Sequence, residues 1–478
     1  MKLALPPGLV RRSLDAHSAI GLVVGALMYL ICLTGTLAVL MESFERWEQP
    51  HISEFREAQP AAVANAVANY RARMTETLSE PPGHLWVVMP VPTLPRMHVA
   101  DEEQEWWTDI NGQFEEPPAA PWTEMLVALH VHLHLPQTVG IILVSAAGAM
   151  LIALIVSGVF AHPRLFRDAF TLRRGGAKRL EQADLHNRLS VWGLPFHLMI
   201  AVTGAFYGLV GLLVLAAAAL FYNGDRDALF DQIYGADPVL AAPVVQVDTT
   251  AALRHLAGHA PGATPLYLVI HDMDTPAQFM EIAASVPGRM AYSEIYRYDA
   301  TGNYLGSQEL TTGPTGRQFL YSLYRIHFGA FGGHLTRITW VLLGLALTIV
   351  SVTGVNIWLA RRGRTDWIND LWAGFVWGSP LALAVSAFTS IAMGLTPIAV
   401  FGSALVAALA YSGWRRAPRK ATSHLQGLCA LVCLALAAWH MAALPYAHVD
   451  PVSHWLNGAL AGVGLLLLVI ASKGAGAN

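Results

Sequence analysis

The chain has 478 residues, 54% of them hydrophobic and 13% charged, with a formal net charge of −3. So few charges beside so much apolar sequence exclude a soluble globule and a disordered tail, and point to a multi-pass membrane protein. Membrane lipid is its expected surrounding, and nothing in the balance calls for a nucleic-acid partner.

Apolar runs long enough to span a bilayer begin near residues 18, 137, 190, 334, 370, 394, 424 and 453, which predicts about eight transmembrane helices. The first run, 21–40, is too long for the apolar core of a cleaved leader and lacks a small-residue cleavage site, so it is expected to remain as a span. Lys2, Arg11 and Arg12 precede it. Further basic groups cluster at Arg164, Arg167, Arg173, Arg174, Lys178 and Arg179, at Arg361, Arg362 and Arg364, and at Arg415, Arg416, Arg419 and Lys420. The positive-inside rule then places both termini in the cytoplasm and the long segments 42–128 and 223–325 outside. For a bacterial inner membrane, outside is the periplasm. Cys32, Cys429 and Cys433 all fall in apolar runs and read as small core residues.

The two outer segments echo each other. Asp109-Ile110-Asn111-Gly112 and Asp299-Ala300-Thr301-Gly302 each read as a turn between strands, and 61–78 and 249–259 read as helices. A unit of span, outer segment and span therefore occurs twice, at about 14–160 and 183–360. The expected organisation is an N-terminal segment and first span (1–41), an outer domain (42–128), two spans with a basic loop (129–222), a second outer domain (223–325), a fourth span (326–362) and a four-helix region (363–478). The fold class is a polytopic all-α membrane protein with two small α+β periplasmic domains.

Histidines mark the repeat. His17 and His186 each precede a Thr-Gly pair, Thr34-Gly35 and Thr203-Gly204, by 17 and 18 residues. Eighteen residues are five helical turns, so His and Gly share a face about 27 Å apart. His130 and His327 precede two further runs that end in Ser157-Gly158 and Thr353-Gly354. Repeated imidazoles at membrane depth suggest function, and pairing His17 with His186 and His130 with His327 supplies the axial ligands of two b-type hemes. Gly35 and Gly204 would let a porphyrin approach the backbone. His197, His334 and the crowded His132 and His134 compete for these roles and stay open as alternates. The histidines of the last quarter, His424, His440, His448 and His454, read as interfacial or loop residues.

Taken in order, Arg12-Ser13-Leu14-Asp15-Ala16-His17, Leu33-Thr34-Gly35, Leu129-His130, Asp184-Leu185-His186-Asn187-Arg188, Leu194-Pro195-Phe196-His197, His327-Phe328-Gly329 and Thr353-Gly354 resemble the PepSY-associated transmembrane family of bacterial inner-membrane proteins. The Asp-x-x-Gly turns resemble the PepSY sheet. The resemblance covers 10–362 and implies a ferric-siderophore reductase carrying heme b, with two PepSY-like domains. The crowded His130-Val131-His132-Leu133-His134 stretch and the four extra spans depart from the family pattern.

The expected function is transmembrane electron transfer through about two hemes to a periplasmic ferric siderophore or other ferric chelate, releasing Fe(II). Arg317, Arg325 and Arg337 are candidate contacts for anionic chelates. The sequence shows no glycine-rich nucleotide fingerprint, so the electron donor is expected to be a quinol or a separate reductase. A membrane-anchored binding or regulatory protein without heme is the alternative, and a transporter is less favoured because both repeats run in the same orientation.

Overall fold

The computed structural model describes residues 6–77, 81–162, 164–165, 169–170 and 178–476. Lys2, Leu78, Arg167, Arg173 and Arg174 lie outside the described residues. In chain order the elements are α1 (Pro7–Ala38), α2 (Met41–Glu48), α3 (Pro60–Thr77), β1 (His84–Val88), β2 (Met97–Ala100), β3 (Glu105–Thr108), α4 (Pro121–Val131) and α5 (Gln137–Ala161). Then come α6 (Lys178–Trp192), α7 (Leu194–Phe221), α8 (Arg226–Tyr234), α9 (Thr249–His259), β4 (Thr264–His271), β5 (Phe279–Ser285), β6 (Glu294–Asp299), β7 (Tyr304–Ser307) and α10 (Thr315–Phe328). The chain ends with α11 (Gly333–Arg361), α12 (Trp367–Met393), α13 (Pro397–Arg415), α14 (Pro418–Ala443) and α15 (Pro451–Gly476).

Eight helices, α1, α5, α7 and α11 to α15, are long and apolar enough to cross a membrane. They answer to the eight apolar runs. The first begins well before residue 18, because Pro7 at the first helical position has a pre-set φ and needs no amide partner. His17 therefore sits inside its helix and not at the entrance. The third run is broken. Gly193 separates α6 from α7, and Pro195 in the next turn has no N–H to continue the ladder. His186 and Gly204 are thus on two helices, with the Gly193 and His197 amides still bonded to the Leu189 and Gly193 carbonyls across the break.

Two compact units emerge: Met1–Pro50, Ala120–Val210 and Gly332–Asn478 form one, His51–Ala119 and Gly211–Phe331 the other. In the helical unit α1 packs on α5 and α11, and α6 packs on α11. Small residues allow this. Gly21 faces the Leu154 side chain, and a Cβ on Gly25 would lie 2.8 Å from Val355 Cγ2. A second core joins Phe44 and Trp47 of α2, Trp122 and Leu126 of α4, Leu383 of α12, Phe401 of α13, Leu436 of α14 and Leu456 of α15. The last four helices therefore close over α2 and α4. The Trp122 indole N–H donates to the Leu383 carbonyl at 3.1 Å. His440 is fully buried, stacked on Trp47 at 4.5 Å, and gives its Nε2–H to the Trp47 carbonyl while Asn457 donates to its Nδ1. That corrects the interfacial reading of His440. It ends a stripe of Cys429, Cys433, Leu436 and Ala437, all buried, at helical spacing.

The other unit holds one seven-stranded antiparallel sheet in the order β3-β2-β1-β4-β5-β6-β7. The two outer segments, expected to fold as separate domains, meet through β1 and β4, with Trp86 opposite Val269. Helices α3 and α9 pack together and share one apolar core with the sheet, including Val63, Tyr70, Leu256 and Tyr298. The echoed turns have the same construction. Asp109 accepts from the backbone amides of Asn111 and Gln113, and Asp299 from those of Thr301 and Asn303. Gly112 and Gly302 have φ of +80° and +83° and press against the start of α3 and α9 respectively, where a Cβ would meet the Ala62 carbonyl oxygen at 2.1 Å or Ala251 Cβ at 2.6 Å.

Candidate functional site

The Ser/Thr-Gly pairs share one local geometry. Each hydroxyl donates back to the carbonyls three and four residues earlier: Thr34 to Ile31 and Leu30, Ser157 to Leu154 and Ala153, Thr203 to Ile200 and Met199, Thr353 to Val350 and Ile349. In three of them, at Leu154, Val350 and Ile31, the third-residue carbonyl also accepts from an imidazole on another helix. His17 Nδ1 donates to the Leu154 carbonyl at 2.9 Å, with Ser157 Oγ at 3.3 Å. His186 Nδ1 donates to the Val350 carbonyl at 3.1 Å, with Thr353 Oγ1 at 3.1 Å. His130 Nδ1 donates to the Ile31 carbonyl at 3.0 Å.

The glycines of these three pairs make room for the ring. A Cβ on Gly158 would lie 3.1 Å from His17 Cε1, one on Gly354 3.4 Å from His186 Cε1, and one on Gly35 2.4 Å from His130 Cε1. The clearance expected beside Gly35 for a porphyrin is taken up by the ring of His130. The sequence carried a signal for these seats, a Ser/Thr-Gly pair inside an apolar run. The along-helix spacing drew attention to the wrong partners.

A carbonyl oxygen can only accept, so Nδ1 carries the proton in His17, His186 and His130, and Nε2 carries the lone pair. This is the tautomer of a metal-ligating histidine whose second nitrogen is tied to the backbone. His17 and His186, expected as a pair, are brought together with ring centres 6.3 Å apart and planes at 82°. Two imidazoles bound to one iron, at about 2 Å per bond, hold their ring centres about 6 Å apart. The pair fits a bis-imidazole iron. Among the described residues no group of three or more His, Cys, Asp or Glu is placed to hold a metal ion.

The alternates separate by chemistry. His134 uses Nε2 on the Met125 carbonyl, and His132 uses Nδ1 on the Leu135 carbonyl; both close the turn after α4, where Leu133 and His134 adopt φ of +57° and +54°. His197 is buried beside Gly193, bonded to the Leu343 backbone, with Nε2 unpartnered. It stays a ligand-ready rival. His334 is exposed near the start of α11. His327 lies on α10 in the sheet unit, its ring edge-on to Phe328.

The candidate arginines are engaged. Arg317 donates to the carbonyls of Gln308 and Gln232, and Arg325 to those of Arg289 and Tyr292 and to Ser285 Oγ. Arg337 pairs with Glu42 at 2.5 Å. The start of α4, the helix that carries His130, is held by Glu48. Its carboxyl accepts from the amides of Trp122 and Thr123 and from the Thr123 hydroxyl. Burial outweighs these bonds and pushes Glu48 up to about 7.

A family model described as the PepSY-associated TM region matches residues 14–361. The match ends where α11 ends, ahead of the last four helices. The uncharacterized protein PA4219 of Pseudomonas aeruginosa is 28% identical over 359 residues, covering 67% of this chain and 87% of that protein.

Proposed function

The chain belongs to the PepSY-associated TM family, and on that premise we propose that it carries electrons across a bacterial inner membrane through b-type heme, about two per chain, to a ferric siderophore or similar ferric chelate. The reading rests on the His17–His186 pair, with ring centres 6.3 Å apart and each Nδ1 tied to a backbone carbonyl. Bound heme supplies an iron that takes and gives up one electron at a time.

The chain's residues fix that centre. The Leu154 and Val350 carbonyls hold the tautomer, Ser157 and Thr353 steady the rings, and Gly158 and Gly354 leave room for them. His130 repeats the arrangement on Ile31 and Gly35 and is the ligand proposed for a second heme. Both termini are proposed to be cytoplasmic and the sheet unit periplasmic, from the basic clusters. Transfer of one electron to a ferric chelate converts a hard ion to a weakly held Fe(II) and releases it.

The test is a pyridine hemochrome ratio with a reduced-minus-oxidised spectrum of the purified chain. About two hemes are expected, with reoxidation of the reduced protein by a ferric siderophore and capture of Fe(II) by ferrozine. Full-length, folded protein without heme would refute the reading and favour the binding or regulatory alternative.

A further inference from the structure

A cavity of about 800 Å³ opens among α6, α11, α12, α14 and α15 in the helical unit. Its wall contains Gln182, Asn356, Trp372, Trp377 and Gln426, with Arg419 also lining it. Most of these residues lie beyond the matched family region, and none is a heme-ligand candidate. Gln426 is only 5% exposed and lines the cavity. A carboxamide that opens on a cavity offers a ligand both a donor and an acceptor. Trp372 donates to Asn356 Oδ1 at 2.9 Å, and Asn356 donates to Gln182 Oε1 at 3.3 Å, which leaves the Gln182 amide hydrogens to face the cavity.

Two residues of the cavity wall adjoin the His186 seat along their helices. Gln182 is one helical turn before His186 on α6, and Asn356 is three residues after Thr353, whose hydroxyl contacts the His186 ring.

We propose that this cavity binds a membrane quinol, the electron donor for the function proposed above, on which the donor role rests. The indoles of Trp372 and Trp377 on the wall offer apolar surface to a quinol ring. Its hydroxyls donate to a carboxamide oxygen, and the quinone carbonyls formed from them accept from the carboxamide N–H groups, so Gln426 and Gln182 serve both redox states with no change of charge. The quinol loses two electrons and two protons and becomes the quinone. The electrons leave one at a time toward the His17–His186 pair and reduce two Fe(III) to two Fe(II), while the protons pass to water at the cavity mouth.

The test is photolabelling of the full chain in nanodiscs with an azido-ubiquinone analogue, mapped by mass spectrometry. Label is expected on the α12 and α14 peptides that carry Trp372 and Gln426, displaced by decylubiquinone and weakened about tenfold in Gln426→Leu and in Gln182→Ala, with heme content unchanged. Label elsewhere, displacement by anionic phospholipid and not by decylubiquinone, or labelling of both variants equal to that of the parent overturns the proposal. Heme-loaded protein that takes no label defeats the quinol site alone. Labelled protein that contains no heme defeats the electron-transfer reading and leaves the site standing.

Discussion

Alanine at the three glycine seats offers a graded perturbation of the imidazole positions. The same methyl group would be added in Gly35→Ala, Gly158→Ala and Gly354→Ala, but its distance to the seated ring differs: 2.4 Å to His130, 3.1 Å to His17 and 3.4 Å to His186. Carbon atoms pack without cost at about 3.5–4.0 Å. Gly35→Ala therefore displaces the His130 ring by about 1 Å and breaks its 3.0 Å bond to the Ile31 carbonyl, whereas Gly354→Ala needs almost no movement. Overpacking a tight contact costs about 1–3 kcal/mol. At ~2 kcal/mol, a ligand held by that ring binds roughly 30-fold more weakly. Heme titration of each variant, with thermal unfolding as a readout independent of heme, measures the order. The expected order of damage is Gly35→Ala, then Gly158→Ala, then Gly354→Ala, which stays close to the parent. If all three behave alike, the seats do not position the rings and the argument from tautomer and spacing falls with them.

His17→Ala and His186→Ala are each expected to remove about half of the heme absorbance, and His197→Ala to leave it; loss in His197→Ala alone would move the ligand on that side. Glu48 has a folded pKa near 7 against an ordinary value of 4.5. Its contribution to stability is therefore full below about pH 4.5 and is lost as pH rises through 7, so thermal stability should fall across that window and Glu48→Gln should flatten the profile. Gly112→Ala forces a positive φ on a residue with a Cβ and meets the Ala62 carbonyl oxygen at 2.1 Å. It should destabilise the sheet unit by more than ~2 kcal/mol, read as faster limited proteolysis between residues 51 and 119.

The spans were legible because hydropathy over some twenty residues needs no knowledge of neighbours. The His17–His186 pairing was legible for a related reason: a repeat with a fixed orientation sets equal depths. Where the reading failed, non-local partners decided the outcome. Gly35 was assigned a cofactor because its distance from His17 along one helix was regular, while its actual neighbour, His130, comes from α4. The His130–His134 crowd could not be sorted by spacing, since positive φ at Leu133 and His134 turns the chain after α4 and sends two of the rings to nearby carbonyls. The break at Gly193 was written in Gly193-Leu194-Pro195 and was overlooked in favour of one long apolar run. His440, which follows Trp439, read as interfacial, and the structure places it at the end of a buried stripe on its helix.

Pairing of β1 with β4 has a consequence for biosynthesis. The partner of His84–Val88 is Thr264–His271, so the central ladder joins strands separated by α4 to α9. At about 5–20 residues per second, the ribosome needs roughly 10–40 s between making one strand and the other. Through that interval the first three strands present an open edge at β1, the position that becomes the middle of the sheet. Such an edge invites pairing with another chain until its own partner arrives. Assembly of the sheet must therefore wait for synthesis and insertion of α5 and α7. A chain stalled after α5 would carry a half-sheet prone to associate with other nascent copies.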